Sequence, residues 1–280
     1  MWLLFIACSG KTPEAGGPSD DSSTDSQQLD DTAPVVGGED FALFTGGAEL
    51  EVWFNDDYDL PEDSDEGWSL GEIGDWTALA DFDGDGLDDF WQIEDTAAKV
   101  RIYMNQGGSY ETEPSFEPTS GVGQKRPAIA GDFDGDGRAD MMLLNTTSGR
   151  ALTFLNVTGG FDTDNKISTA TSLGASGAFA AADMDGDGTD DLVQLAGSDV
   201  SVWRVQDGVI DESAAMHELN LPGTIQALGI DLDDDGISEL ATWSGSTLYV
   251  HGNDGSAIDD APSHEFFLNT SGFALSGEVR

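Results

Sequence analysis

A nine-residue acidic pattern that occurs four times constrains this chain more than any other feature of its sequence. The copies are DFDGDGLDD from Asp81, DFDGDGRAD from Asp132, DMDGDGTDD from Asp183 and DLDDDGISE from Asp231, which we call the first to fourth loops. Carboxylates at positions 1, 3, 5 and 9 can converge on one point only if the chain wraps around it, and the glycine at position 6 permits the sharp bend. The pattern therefore predicts a site for a hard cation with oxygen ligands.

Each loop is expected to bind one Ca²⁺, about four ions in all, because Mg²⁺ prefers to keep its waters. The main-chain carbonyl at position 7 is the expected further ligand, since residue type there varies between copies as a main-chain ligand allows. The predicted metal ligands are Asp81, Asp83, Asp85, Leu87, Asp89, Asp132, Asp134, Asp136, Arg138, Asp140, Asp183, Asp185, Asp187, Thr189, Asp191, Asp231, Asp233, Asp235, Ile237 and Glu239.

The main alternative for such a loop is an EF-hand, which needs a bidentate Glu at position 12 and a helix on each side. Position 12 is instead Gln92, Leu143, Gln194 or Thr242, and the flanking segments are short apolar runs of strand length. A plain Asp/Gly turn with solvated carboxylates is a second alternative, which four ordered copies disfavour. The sequence therefore predicts calcium loops that each lie between two strands.

The spacing of the loops predicts the architecture. They begin at residues 81, 132, 183 and 231, so that the period is 51, 51 and then 48 residues. After each loop come an apolar strand, an alternating strand, a turn that contains glycine and a further polar run of strand length. Four strands per period of about 50 residues predict an all-β fold, a β-propeller of four-stranded antiparallel blades.

These features resemble a known repeat family. A run of small apolar residues, the DxDGDGxxD loop, an apolar strand and an Asn/Asp-Gly turn are similar to the FG-GAP/VCBS repeat of integrin α-subunit propellers and of many bacterial surface proteins. The resemblance covers about residues 37–280 and implies calcium ligands at positions 1, 3, 5 and 9 of every loop. The fourth loop departs from the pattern, since Asp234 replaces a glycine and Glu239 replaces the last Asp. The longer Glu side chain can still reach the ion.

The two ends of the chain complement each other. Residues 37–60 repeat the part of the period that follows a loop, and the segment SGFALSGEVR at the C-terminus repeats the part that precedes one. Pairing of the strand around residues 273–277 with the N-terminal strands would complete a blade and remove two sheet edges, the "velcro" closure of propellers. This predicts five blades, with a fragment of a seven-bladed ring as the alternative.

The amino terminus, MWLLFIACSG, resembles a bacterial lipobox with Ala7 before the cleavage point and Cys8 as the residue that would be lipidated. It departs from the pattern at Phe5 and Ile6 and lacks a positive n-region. The predicted division is a signal-peptide remnant at 1–8, a disordered linker rich in Asp, Ser, Gly and Pro at 9–36, and the propeller at 37–280. We therefore expect a lipoprotein of the bacterial surface or outer membrane, or a secreted protein.

Charge and motif content limit the function. With 10 Lys and Arg against 55 Asp and Glu, the net charge of -45 makes nucleic acid and anionic membrane poor partners. The sequence holds no GxSxG, HExxH or P-loop motif, and its three histidines stand outside any motif, which argues against an enzyme. We expect a monomeric adhesion or binding module for a protein or glycan, with structural calcium. The alternatives are an accessory domain of a polysaccharide- or lipid-degrading enzyme and a plain spacer.

Four tryptophans bear on these alternatives, because aromatic side chains open to solvent in a repeated pocket favour sugar binding. They are Trp68, Trp76, Trp91 and Trp243. The alternation of the strands predicts that most of them lie in the core.

Overall fold

The structure is a computed structural model. It describes residues 6–7, 40–45, 49–53, 66–69, 76–94, 99–107, 109–111, 113–115, 127–145, 148–158, 160–173, 177–224, 226–267 and 273–277. Within these ranges every regular element is a β-strand and none is a helix. Accordingly, no helix in the described part of the chain could cross a membrane. The predicted all-β class is confirmed.

The strands that form the sheets follow one another in chain order. They are β1 (Ile6–Ala7), β2 (Asp40–Thr45), β3 (Glu49–Trp53), β4 (Glu66–Ser69), β5 (Trp76–Ala80), β6 (Asp89–Glu94), β7 (Lys99–Tyr103), β8 (Ala128–Gly131), β9 (Asp140–Asn145), β10 (Arg150–Phe154), β11 (Ile167–Ala170), β12 (Ala178–Ala182), β13 (Asp191–Ala196), β14 (Asp199–Trp203), β15 (Val205–Gln206), β16 (Val209–Ile210), β17 (His217–Asn220), β18 (Gln226–Ile230), β19 (Glu239–Ser244), β20 (Thr247–His251), β21 (His264–Phe267) and β22 (Phe273–Gly277).

These strands form successive antiparallel sheets. Four sheets contain the four-strand order of a propeller blade, namely β22-β2-β3-β4, β8-β9-β10-β11, β12-β13-β14-β17 and β18-β19-β20-β21. A further sheet, β5-β6-β7, has three described strands, and β15 and β16 form a small separate hairpin. The prediction of four-stranded antiparallel blades is confirmed with four complete blades. The count of five, which includes the three-stranded sheet, stays a prediction.

The predicted pairing of the two ends of the chain is present. Strand β22 runs antiparallel to β2, with Leu43 opposite Ala274 and Phe41 opposite Ser276. The innermost strands β22, β5, β8, β12 and β18 contact one another in succession, and β22 contacts both β5 and β18. The short strand β1 pairs in parallel with β12, whereas Cys8 and the linker 9–36 lie outside the described residues.

Small residues allow the innermost strands to pack closely. Strands β8 and β12 read AIAG and AFAAA and are buried along their whole length. A Cβ atom on Gly229 of β18 would lie 2.2 Å from the Cβ of Ala182, and one on Gly131 would lie 2.7 Å from the Cβ of Ala181. Because real Cβ atoms do not approach so closely, glycine is required at these contacts between neighbouring sheets.

Larger side chains fill the space between the sheets. Trp243 is 1% exposed and Trp91 is 4% exposed, which confirms the prediction that they belong to the core. The side chains of Trp68 and Trp76 lie outside the described residues. The residue at position 2 of each acidic loop is also buried, and these residues are Phe82, Phe133, Met184 and Leu232. Each loop is thereby anchored in the core one residue after its first carboxylate.

Candidate metal centres

Each acidic loop connects the innermost strand of a sheet to the second strand. The first loop, for example, starts at Asp81, directly after β5, and ends at Asp89, the first residue of β6. The second, third and fourth loops occupy the same place after β8, β12 and β18. The four loops therefore lie between strands, as predicted, and the EF-hand alternative is wrong because no helix flanks any of them.

The carboxylate at position 1 organises each loop through main-chain hydrogen bonds. In the first loop, Asp81 Oδ1 accepts from the N–H of Gly84 at 2.7 Å and of Asp85 at 3.2 Å, and its Oδ2 accepts from the N–H of Gly86 at 2.7 Å. The second and third loops repeat all three bonds from Asp132 and Asp183. A short acceptor side chain at this position thus curls the backbone around itself.

The curl requires a left-handed backbone at two places in each loop. Gly84 and Gly86 of the first loop have φ of 82° and 91°. The sequence pattern predicts the bend at position 6 alone, but position 4 needs a left-handed backbone equally. In the fourth loop position 4 is Asp234, with φ of 56°, and Asp tolerates this region better than most residues with a Cβ atom. The fourth loop therefore keeps the shared conformation with some strain.

The carboxylate at position 9 is held from two sides. Asp140 Oδ2 accepts from the N–H of Phe133 at 3.0 Å, and its Oδ1 accepts from the N–H of Asn156 at 2.6 Å. The first loop has the same two bonds to Asp89, and in the fourth loop the N–H of Leu232 donates to Glu239 Oε2 at 3.0 Å. Glu239 therefore keeps one of the hydrogen bonds that Asp makes at this position, and its reach to an ion stays a prediction.

Position 5 fixes the second half of each loop. Its Oδ1 accepts from the N–H of position 7 at 2.9 to 3.0 Å in all four copies. This bond places position 7 next to the carboxylates, where its carbonyl stays the predicted further ligand. The four position-7 residues are Leu87, Arg138, Thr189 and Ile237.

Three carboxylates in each loop can contribute oxygens that lie within 4.8 Å of one another. The groups are Asp81, Asp83 and Asp85; Asp132, Asp134 and Asp136; Asp183, Asp185 and Asp191; and Asp231, Asp233 and Glu239. The remaining predicted carboxylate ligands, Asp89, Asp140, Asp187 and Asp235, belong to the same loops but not to these closest groups. The structure therefore brings together three predicted ligands in every loop.

Burial makes the negative charge of these groups costly. It raises the pKa of Asp140 and of Asp191 to about 8, with a further contribution from neighbouring carboxylates. The same causes raise the pKa of Glu239 to about 8 and that of Asp89 to about 7. Main-chain donors oppose these shifts without cancelling them. Such a site favours either protons or a cation that compensates the charge.

Two buried oxygen atoms point to the cation. Asp134 Oδ1 in the second loop and Asp191 Oδ2 in the third loop are enclosed and have no hydrogen-bond partner. Buried carboxylate oxygens without a donor are costly unless a metal ligates them. The residues of the loops therefore fit a bound divalent cation with oxygen ligands.

Hydrogen bonds between neighbouring sheets connect the loops, and the sequence pattern does not predict them. The N–H at position 8 of the second, third and fourth loops donates to the carbonyl at position 1 of the preceding loop, at 2.6 to 2.7 Å. The donors are Ala139, Asp190 and Ser238. Position 8 has no shared residue type that could signal this bond, since its residues are Asp88, Ala139, Asp190 and Ser238, and only the fold shows which carbonyl the N–H reaches.

Comparison with known families agrees with this geometry. A family model described as the FG-GAP-like repeat matches residues 81–143 and 132–193, which include the first three loops. Residues 81–193 therefore contain FG-GAP-like repeats. The fourth loop lies outside the matched residues, although its backbone bends as in the other three loops. No curated protein sequence matches this chain.

Several solved structures are similar to this chain at low identity. A lectin of Agrocybe aegerita, from a study of specific recognition of non-reducing terminal N-acetylglucosamine, is 19% identical with a TM-score of 0.44, over 72% of this chain and 56% of the lectin. A Photorhabdus luminescens Tc holotoxin pore is 16% identical with a TM-score of 0.41, over 82% of this chain and 11% of the toxin chain. A Desulfotomaculum acetoxidans protein of unknown function is 12% identical with a TM-score of 0.43, over 82% of this chain and 80% of that protein. The chain thus spans about half of the lectin and about a tenth of the toxin chain.

Proposed function

We propose that this chain is a calcium-stabilised β-propeller that acts as a binding module. The observation that carries the calcium assignment is the recurrence of one carboxylate cluster at the same place in four successive sheets, between the first and second strands. A solvated acidic turn would leave its carboxylates in water, whereas positions 1 and 9 of every loop are at most 7% exposed. Each loop is therefore buried at positions 1 and 9 and is more open to solvent at positions 3 and 5.

The ligand chemistry favours Ca²⁺ among the common divalent cations. All candidate donors are carboxylate or carbonyl oxygens, which hard cations prefer, and each loop offers more of them than Mg²⁺ accepts while it keeps its waters. When bound, the ion would supply the positive charge that the clustered carboxylates lack. The loop residues themselves connect β5 to β6 and β8 to β9, so that ligation would fasten the innermost strand of a sheet to the second strand.

Thermal unfolding of the full chain tests this proposal when it is measured with Ca²⁺, with the same concentration of Mg²⁺ and with chelator. Native mass spectrometry of the same samples counts the retained ions. We expect about four Ca²⁺ and a melting temperature that falls by at least about 10 °C on chelation, since binding to the folded state adds to its stability. No retained ions and an unchanged melting temperature would overturn the calcium assignment.

We further propose that the propeller binds a protein or glycan and is not itself an enzyme. Support comes from the absence of a recognised catalytic motif in the sequence and from a closely packed frame of innermost strands that can present loops. A glycan array and a panel of extracellular matrix proteins, probed with the labelled chain in Ca²⁺ and in chelator, test this role. If the chain is a plain spacer, it should show no calcium-dependent binding to glycans or to matrix proteins.

Surface display is proposed from the lipobox-like segment that ends at Cys8. Expression of the full chain in a bacterium with labelled palmitate, beside a Cys8→Ser variant, tests lipidation. Label on the natural chain and none on the variant would support an anchored protein. Equal absence of label from both would contradict it.

A further inference from the structure

An arginine stands beside the third loop at a position where the other blades have uncharged residues. Arg204 directly follows β14, whose last residue, Trp203, lies opposite the residue after position 9 of the third loop. By the same register, the residues that correspond to Arg204 in the other three sheets are Met104, Leu155 and Gly252. The positive charge is therefore a departure of this blade from the shared pattern.

The guanidinium of Arg204 reaches two of the predicted calcium ligands. Its Nη2 forms an ion pair with Oδ2 of Asp185, at position 3, and its Nη1 lies 3.5 Å from Oδ2 of Asp187, at position 5. The Asp185 side chain is only 8% exposed, so this pair is partly shielded from solvent. In the second loop Arg138 forms an ion pair with a single ligand carboxylate, that of Asp136.

The third loop also holds its ninth position differently. Val205 replaces the asparagine found at 105, 156 and 253, and its N–H donates to Asp191 Oδ1 at 3.2 Å, against 2.6 Å for Asn156 and Asp140. The third loop thus differs from the other loops in two ways. The guanidinium of Arg204 contacts the carboxylates at positions 3 and 5, and a valine replaces the asparagine whose N–H contacts the carboxylate at position 9 in the first and second loops.

We propose that Arg204 is a built-in counter-ion of the third loop, which keeps that loop ordered without metal and lowers its affinity for Ca²⁺. The guanidinium relieves the repulsion between clustered carboxylates in the metal-free state, and it repels a cation that enters the cluster. Both effects reduce the free energy gained on binding. The opposite effect would arise if the arginine mainly preorganised the two carboxylates, which would raise affinity. This inference rests on the proposed calcium binding.

The variant Arg204→Leu tests the inference, because leucine is the residue at the corresponding place in the second sheet. Arg150→Leu is the matched control, since Arg150 is exposed and its guanidinium bonds Ser168 rather than a loop carboxylate. Stepwise Ca²⁺ affinities are measured by native mass spectrometry and calorimetry on the full chain, with thermal unfolding in chelator. We expect Arg204→Leu to tighten one binding step by about 10-fold and to lower the metal-free melting temperature, with a change below about 2-fold for the control.

Further variants assign the effect to the third loop. Asp191→Asn removes a ligand of that loop, so adding Arg204→Leu to it should no longer tighten any step. Leu155→Arg places the same charge beside the second loop and should weaken one step there. Arg204→Gln, which keeps most of the side chain without its charge, should tighten the same step as Arg204→Leu and serves if the leucine variant fails to fold.

The possible results separate the two proposals. If the natural chain binds no Ca²⁺, the proposed function fails and this inference fails with it. If about four ions bind but Arg204→Leu leaves every step unchanged, or weakens one, the inference alone is overturned. Tightening that persists in the Asp191→Asn background would also overturn it, because the effect would then belong to another loop.

Discussion

The side-chain amide of Asn156 donates a hydrogen bond of 2.7 Å to the carbonyl of Phe82, across the boundary between two neighbouring sheets. Its Nδ2 also donates to the carbonyl of Ala139 at 3.2 Å, and its Oδ1 accepts from the N–H of Gly160 at 3.0 Å. Asn253 repeats the arrangement with the carbonyls of the third and fourth loops. One asparagine thus ties the loop of its own sheet to the loop of the preceding one.

Asn156→Ala should therefore destabilise the protein well beyond the loss of a surface contact. Asn156 is 1% exposed, so its removal leaves two buried carbonyls without their donor, and we expect a loss of about 2–4 kcal/mol in the free energy of unfolding. Urea denaturation in saturating Ca²⁺ measures this loss of stability. Asn165→Ala is the control, because Asn165 is exposed and bonds only within its own turn to Asp162. Equal effects of the two variants would refute the role of Asn156 between the sheets.

Gly229→Ala tests the close packing of the innermost strands. The added methyl group would overlap Ala182, so the two sheets must separate, at a cost of about 1–3 kcal/mol. Ala182→Gly in the same chain removes the overlapping atom and should recover part of the loss. A double-mutant cycle in urea measures the coupling, which we expect to be about 1 kcal/mol or more. Additive effects would show that the contact does not limit the packing.

Asp191→Asn should change the stability in opposite directions with and without metal. In chelator at neutral pH, folding must protonate the buried Asp191 carboxyl, which is ionised in the unfolded chain. The variant removes this cost and can keep the acceptor for the N–H of Val205, so the free energy of unfolding should rise by about 1–3 kcal/mol. In saturating Ca²⁺ it should fall, and native mass spectrometry should show one ion fewer. Asp260→Asn, at an exposed aspartate, is the control and should change neither quantity. A loss of stability in chelator would contradict the assignment.

Local sequence patterns predicted the loops and the strands because each depends on residues close together in the chain. The bend at Gly86, the position of Asp89 at the start of a strand and the reach of Glu239 follow from spacing and side-chain length. The contacts made by Asn156 and Arg204 could not be predicted in this way. Their partners lie 74 residues away for Asn156 and Phe82, and 19 residues away for Arg204 and Asp185, so that only the register of the sheets brings them together.

The same distinction applies to the closure of the ring. Complementary ends predicted that β22 pairs with β2, and the structure confirms it. The glycines at 131 and 229 were not singled out, because a glycine inside a strand has many possible reasons. Only the distances to Ala181 and Ala182 identify which reason applies.

The dependence of stability on pH should reverse when the metal is removed. Burial raises the pKa of Asp140, Asp191 and Glu239 to about 8 and that of Asp89 to about 7, far above the 3.8 to 4.5 of the free side chains. Between about pH 4 and pH 8 the folded protein therefore binds more protons than the unfolded chain does. Its free energy of unfolding must fall as the pH rises through this window and level off above it.

With saturating Ca²⁺ the cation replaces those protons, so stability should be constant or increase over the same range. Urea denaturation at pH 5, 6, 7 and 8, with chelator and with Ca²⁺, measures both slopes. General charge repulsion in an acidic protein also lowers stability as the pH rises. The double variant Asp140→Asn/Asp191→Asn separates this repulsion from the titration of the buried carboxyl groups. Its slope in chelator should be shallower by up to about 1.4 kcal/mol per pH unit for each carboxylate removed. Identical slopes for the variant and the natural chain would show that the buried carboxylates do not titrate in this window.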